Sequence, residues 1–118
     1  MLSQIFDVTE IFNANNQATL DLGLFNQCTI QVTGSISGTI DIKGSNDGGA
    51  VQGSTDGNPT SATNFSTIQA TKLSDGSAVT VIAAAGLYSL TVKTKYLRIG
   101  GANAATTGKV LIFANTVV

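Results

Sequence analysis

Gln27–Asp47, QCTIQVTGSISGTIDIKGSND, is the stretch that decides the fold. Cys28, Ile30 and Val32 alternate with Gln27, Thr29, Gln31 and Thr33, and Ile40 and Ile42 alternate with Thr39, Asp41 and Lys43. Successive side chains of a strand point to opposite faces, so this period of two predicts two strands. Each buries one face and presents hydroxyls, amides and charges on the other. Gly34 to Gly38 separates the two runs, and Gly44-Ser45-Asn46-Asp47-Gly48-Gly49 closes the second with residues that tolerate positive φ. The expectation is an antiparallel hairpin, with Ile36 either in its second strand or at the tip of the turn.

The same reading extends towards the N-terminus. Leu20, Leu22 and Leu24 alternate with Asp21 and Gly23 in a short strand leading into the central pair. Gln4 to Phe12 sets Phe6 and Val8 against Ile5 and Ile11, although Leu2, Ile5, Phe6 and Thr9 would also share a helix face. Its β-branched and aromatic content favours strand, and residues 1–18 read as an N-terminal arm or edge strand.

Towards the C-terminus, residues 48–64 hold the only proline, Pro59, and read as a long exposed connection. Gly44-Ser45-Asn46-Asp47-Gly48 and Gly53-Ser54-Thr55-Asp56-Gly57 repeat nine residues apart. Two copies are too few for a calcium-binding roll and read as Asp-Gly turns. Phe65 to Leu73 predicts a strand, joined through Ser74-Asp75-Gly76-Ser77 to a second over Ala78–Ala83 with Val79, Val81 and Ala83 on one side. Tyr88, Leu90 and Val92 alternate with Ser89, Thr91 and Lys93. In Lys95 to Gly100, Leu97 and Ile99 face inward, with Tyr96 and Arg98 opposite. A glycine-rich loop over 100–108 precedes Lys109 to Ala114, apolar on both faces and therefore central in a sheet or covered by a partner. Val117 and Val118 end the chain on bare hydrophobes, which again suggests cover.

Eight or nine short strands, no clear helix and turn signals about every 8–12 residues define an all-β chain. The expected architecture is a two-sheet antiparallel β-sandwich, jelly-roll-like, with residues 1–118 as one domain. With one Met, no Trp and five Phe, the core rests on β-branched and leucine side chains.

Composition narrows the function. Charged residues make up 11% of the chain, against about 25% in an average domain. A net charge of −1 supplies no basic field for phosphates, which excludes nucleic acid as the main partner. No run approaches the roughly 18 apolar residues of a membrane span. No apolar segment follows an early basic residue, the first being Lys43, so no signal peptide is expected. Histidine is absent, which removes His-based triads and zinc sites. Of Asp41, Asp47, Asp56 and Asp75, three precede glycine in turns, where an aspartate caps its own backbone. The chain is therefore expected to be neither an enzyme nor a holder of metal or cofactor. Cys28, the single cysteine, falls in a buried row and reads as a small core residue.

Charge is spread unevenly, −4 over residues 1–42 and +3 over residues 43–118. Either the acidic third packs near the basic remainder, or neighbouring subunits meet head to tail. Lys93, Lys95 and Arg98 form the basic cluster, and with Val117 and Val118 they are the candidate protein interface.

The run Gly34 to Gly48, then Gly86-Leu87-Tyr88 and Tyr96-Leu97-Arg98-Ile99, resembles small β-sandwich proteins of tailed-phage virions. In those a G-T-x-x-x-x-G-S-N-D-G hairpin, a G-L-Y strand start and a Y-x-R-I/V strand recur over about a hundred residues. The tryptophan that often follows the Asn-Asp-Gly turn there is replaced here by Gly49-Ala50-Val51. The resemblance implies a virion protein made in the host cytoplasm: a head decoration or cement protein, a head fibre, or a tail-fibre or baseplate module. Combined with the low charge and apolar C-terminus, it favours a capsid decoration protein that binds the major capsid protein as a trimer or other small oligomer. Tyr96-Leu97-Arg98-Ile99 is also similar to a strand of galactose-binding-like jelly rolls. That makes a carbohydrate-binding module the alternative, although two tyrosines and no tryptophan leave little for a sugar to stack on.

Overall fold

The computed structural model describes residues 3–8, 17–35, 38–46, 64–100 and 108–117. In these, alternating apolar residues become eleven short strands in two antiparallel sheets. They are β1 (Ser3–Asp7), β2 (Gln17–Asp21), β3 (Gln27–Thr33), β4 (Ile40–Ser45), β5 (Ser66–Thr67), β6 (Ala70–Lys72), β7 (Ala78–Val79), β8 (Val81–Ile82), β9 (Gly86–Thr91), β10 (Tyr96–Gly100) and β11 (Lys109–Asn115). One sheet, in the order β1-β11-β3-β9-β6-β7, faces a second in the order β2-β10-β4-β5, with β8 also on β4. No α-helix occurs among the described residues.

The expected hairpin over residues 27–47 does not form. β3 pairs with β11 and β9, whereas β4 pairs with β10, β5 and β8 in the other sheet. Gly34 and Gly38, at φ 82° and 86°, flank the passage from one layer to the other. Their lack of Cβ makes that conformation accessible. An arch between layers and a hairpin within one layer bury the same alternating residues, so periodicity cannot distinguish them. Ile36 lies outside the described residues.

Two further strands divide for the same reason. The run from Phe65 to Leu73 becomes β5 in one sheet and β6 in the other, and 78–83 becomes β7 and β8, again in different sheets. Thr80 resets the phase of the second: Ile82 is buried, while Val81 and Ala83 are exposed, contrary to the expected inward row. These two divisions turn nine strands into eleven. The β6–β7 hairpin through residues 73–77 forms as expected, and Asp75 accepts bonds from both Ser77 N–H (2.9 Å) and Ser77 Oγ–H (2.7 Å). These bonds hold the Asp75 carboxyl below its usual pKa. Leu24 lies in the turn after β2 and is exposed, not part of the strand.

Between the sheets lies one apolar cluster. Cys28, Ile30, Val32, Tyr88, Leu90, Val110, Ile112 and Ala114 from the larger sheet meet Ala18, Leu20, Ile40, Ile42, Ile82, Leu97 and Ile99 from the smaller. Full burial of an isoleucine or leucine contributes about 2 kcal/mol before conformational entropy is counted. Tyr88 carries its hydroxyl into this core by donating to Ala84 O at 2.8 Å. β11, apolar on both faces, is an interior strand between β1 and β3 as expected, and β1 is an edge.

Two predictions follow from the packing. Gly44 is buried, and a Cβ there would lie 2.6 Å from Thr94 Oγ1 and 3.0 Å from its Cγ2. Gly44→Ala should therefore cost about 1–3 kcal/mol in denaturant unfolding. Thr94→Ala in the same chain should recover part of that cost, a coupling absent if the glycine matters only for backbone freedom. Burial pushes the Cys28 thiol up to about 12, so between about pH 9 and 12 only the unfolded chain releases its proton and stability falls. The stability difference between the native chain and Cys28→Ala should shrink over that window and stay flat below it.

Candidate docking surfaces

Residues facing away from the core form two very different outer faces. On the larger sheet, register aligns Ile5, Phe113, Thr29, Ser89, Thr71 and Ala78 in one row across the strands. The next row runs Asp7, Leu111, Gln31 and Leu87. Leu73 extends it by donating its N–H to Leu87 O at 2.9 Å. Ile5 is 67% exposed, Leu73 51%, Leu87 43% and Phe113 42%. Large apolar side chains thus stand in water among threonines and glutamines. Among the described residues only Asp7 and Lys109 bring charge to this face, and they pair with each other at 3.7 Å. Five gaps of roughly 4.8 Å and strands of about 20 Å give a flat footprint on the order of 500 Å2. Large apolar side chains grouped on one exposed face commonly mark an interaction site.

The outer face of the smaller sheet exposes Val81 on β8 but otherwise carries charged groups that are occupied within the chain. Arg98 lies between Thr19 on β2 and Lys43 on β4. Its guanidinium stacks 3.9 Å from the Phe65 ring centroid, and its Nε–H donates to Thr19 Oγ1 at 3.1 Å. Desolvation in this stack lowers the Arg98 pKa from its ordinary value, against the charged form. Lys95 pairs with Asp21 at 3.3 Å, and its ammonium lies 5.4 Å from the Tyr96 ring centroid. Both tyrosines are buried, so any stacking platform for a sugar would have to come from phenylalanine.

Of the five candidate interface residues four are described: Arg98 lies on the outer face of the smaller sheet, and Lys93, Lys95 and Val117 lie at the end where β9 and β11 finish. Lys93 lies in the connection between β9 and β10, exposed and beyond the end of the strand. Lys95 and Arg98 are engaged within the chain. Val117 is exposed at the same end of the larger sheet as Lys93, its N–H and C=O clamped by the Asn26 side chain at 2.9 and 2.7 Å. Val118 lies outside the described residues, as do residues 47–57 of the nine-residue repeat. The Asp21–Lys95 and Asp7–Lys109 pairs join the acidic third to the basic remainder inside one chain. Sequence reasoning missed Ile5, Leu87 and Leu73 as surface residues. The apolar character of both faces of β11 was the available signal for Leu111 and Phe113.

A third feature is a cleft of about 450 Å3, where the sheets part beside β9. Leu22, Ile68, Ala70, Leu90, Val92 and Leu97 contribute apolar surface to it, and Gln27, Gln69, Thr91, Lys93 and Thr94 contribute polar groups.

Set against known proteins, the fold has a counterpart in a solved structure, the crystal structure of SPBc2 prophage-derived protein YomS. The TM-score is 0.70 at 9% sequence identity, covering 95% of this chain and 91% of that one. At that identity the likeness concerns the fold. No family model and no curated protein matches the chain.

The Arg98–Phe65 stack generates its own prediction. Arg98→Ala and Phe65→Ala, measured singly and together by denaturant unfolding, should show a coupling of about 0.5–1 kcal/mol. Additive effects would mean that the ring and the guanidinium are merely neighbours. Arg98→Lys should lose most of this coupling, because an ammonium lacks the planar stacking surface.

Proposed function

We propose that this chain is a non-enzymatic structural protein of a tailed-phage virion. In this reading it is a decoration protein that docks on the outside of the head through the outer face of its six-stranded sheet. The observation that carries the proposal is that face itself, with Ile5, Phe113, Leu87 and Leu73 exposed on a flat field of hydroxyls and amides. Its charges are closed on themselves. Such a surface gains by being covered and repels no partner. The virion setting draws support from the Gly34–Gly48 and Tyr96–Ile99 motifs and from the shared fold with a prophage-derived protein.

Docking of this kind is individually weak. A 500 Å2 footprint on each partner gives roughly 1,000 Å2 in total, the lower end of specific interfaces. Decoration compensates by repetition, since each oligomer engages several equivalent shell sites at once and the effective concentration of the second contact is high. A small oligomer, with a trimer as the leading case, meets that need. Low net charge allows copies to stand side by side on a shell. For the carbohydrate-binding alternative Tyr88 and Tyr96 are buried, which leaves phenylalanine to stack a sugar.

Purified particles carrying the protein should show it on a stained gel at a stoichiometry comparable with the shell protein. A tail module would give only a few copies. Phe113→Lys combined with Ile5→Glu, an opposite-charge pair across the β1–β11 register, should lower particle occupancy more than tenfold while changing stability by no more than about 1–2 kcal/mol. Undiminished occupancy in that folded variant would remove this face from the docking role.

A further inference from the structure

β9 is paired unequally on its two edges. Along one, the ladder with β3 runs from Gly86 to Thr91 and continues as Val92 N–H donates to Asn26 O at 2.9 Å. Along the other, bridges to β6 stop at Ser89. The segment before Ala70 instead turns to the smaller sheet, where Ile68 N–H donates to Ile42 O at 3.1 Å. Antiparallel ladders alternate the direction of successive backbone groups. Leu73 bonds Leu87 on the β6 side and Val92 bonds Asn26 on the β3 side, so the N–H and C=O of Thr91 point away from β3. They face the 450 Å3 cleft, of which Thr91 is a lining residue.

The lining of the cleft is chemically specific. Among the described residues its floor is aliphatic, and no aromatic ring lines it. Among the described residues Lys93 is the only charged one that lines it, and it has no salt-bridge partner there. We infer that this cleft receives an extended peptide segment of a partner protein, added antiparallel to the free edge of β9. The segment reads acidic, then aliphatic, then hydroxyl-bearing.

Each feature selects one property of that occupant. The open ladder edge asks for an extended main chain, which supplies complementary N–H and C=O groups. Opposite Val92, an incoming side chain points to the floor and must be aliphatic. Opposite Lys93, it points to the rim and meets an unpaired ammonium. Opposite Thr91, it joins the hydroxyl-rich outer face. A sugar would find no ring to stack on, and a nucleic acid would find one cation. The volume lies within the roughly 300–1,000 Å3 typical of ligand sites. This inference stands apart from the decoration reading, because it concerns the isolated chain and a site centred on Thr91–Lys93, which meets the docking face only along Thr29, Thr71, Ala78 and Ser89.

The test uses the full 118-residue chain, labelled with 15N and titrated with the acetylated, amidated hexapeptide Ser-Thr-Glu-Leu-Thr-Ser. Saturable amide shifts confined to residues 68–71 and 90–94 are expected. Replacing leucine by serine in the peptide should abolish them. Lys93→Glu should weaken binding about fivefold or more, since an exposed ion pair becomes a repulsion. Thr91→Pro removes the edge-facing N–H without touching the β3 ladder and should abolish binding. If that variant does not fold, Lys93→Glu and the serine peptide still decide the matter. No shifts at millimolar peptide, shifts centred on Ile5, Leu87 and Phe113 or on Arg98, equal binding of the serine peptide, or a response of the same amides to neutral oligosaccharides alone would overturn the inference.

Discussion

Everything in this chain depends on closure of an apolar layer between two sheets that exchange strands at nearly every connection. Ile30, Val32, Val110 and Ile112 from one side have no aqueous cover except Ile40, Ile42, Leu97 and Ile99 from the other. With 11% charged residues and one cysteine, buried in the core, burial of aliphatic surface is the dominant stabilising term. It also explains the chain path. A hairpin of β3 and β4 would place two apolar rows side by side on one layer and leave both seeking cover. Crossing between layers lets each row cover the other. Gly34 and Gly38 make that crossing possible, and Gly44, pressed against Thr94, lets the β9–β10 connection close over the core.

Which residues lie inside was readable from the sequence. Cys28, Ile30, Val32, Ile40, Ile42, Tyr88, Leu90, Leu97 and Ile99 were all expected in apolar rows, and all are buried. Which strand lies beside which was not readable, because the side-chain period is two whether a strand turns back within its layer or passes to the opposite one. The divisions at Ile68–Gln69 and Thr80 were hidden for a related reason. Short strands carry too few alternations to reveal that the phase has been reset, so Val81 came out where Ile82 belonged. Leu24 illustrates another limit: alternation continued through a turn that buries nothing.

The candidate site was less legible. Basic residues stand out in a chain with little charge, which drew attention to Lys93, Lys95 and Arg98. The fold takes up two of them internally, Lys95 on Asp21 and Arg98 on Phe65. Lys43 became Arg98's neighbour only through the sheet register. The exposed apolar field is assembled from Ile5, Leu73, Leu87 and Phe113, residues far apart in the chain, each of which reads individually as core. Only β11, apolar on both faces, hinted that one side of the larger sheet would remain uncovered. Adhesive faces of this kind have no local motif. They arise when register aligns residues that alternation alone would send to either side.

The most direct test of this account is hydroxyl-radical footprinting of the protein free and bound to the particle that carries it. Protection should concentrate on Ile5, Leu111, Phe113 and Leu87, with the outer face of the smaller sheet around Phe65 unchanged. Protection at Phe65 with the larger sheet still fully reactive would contradict it.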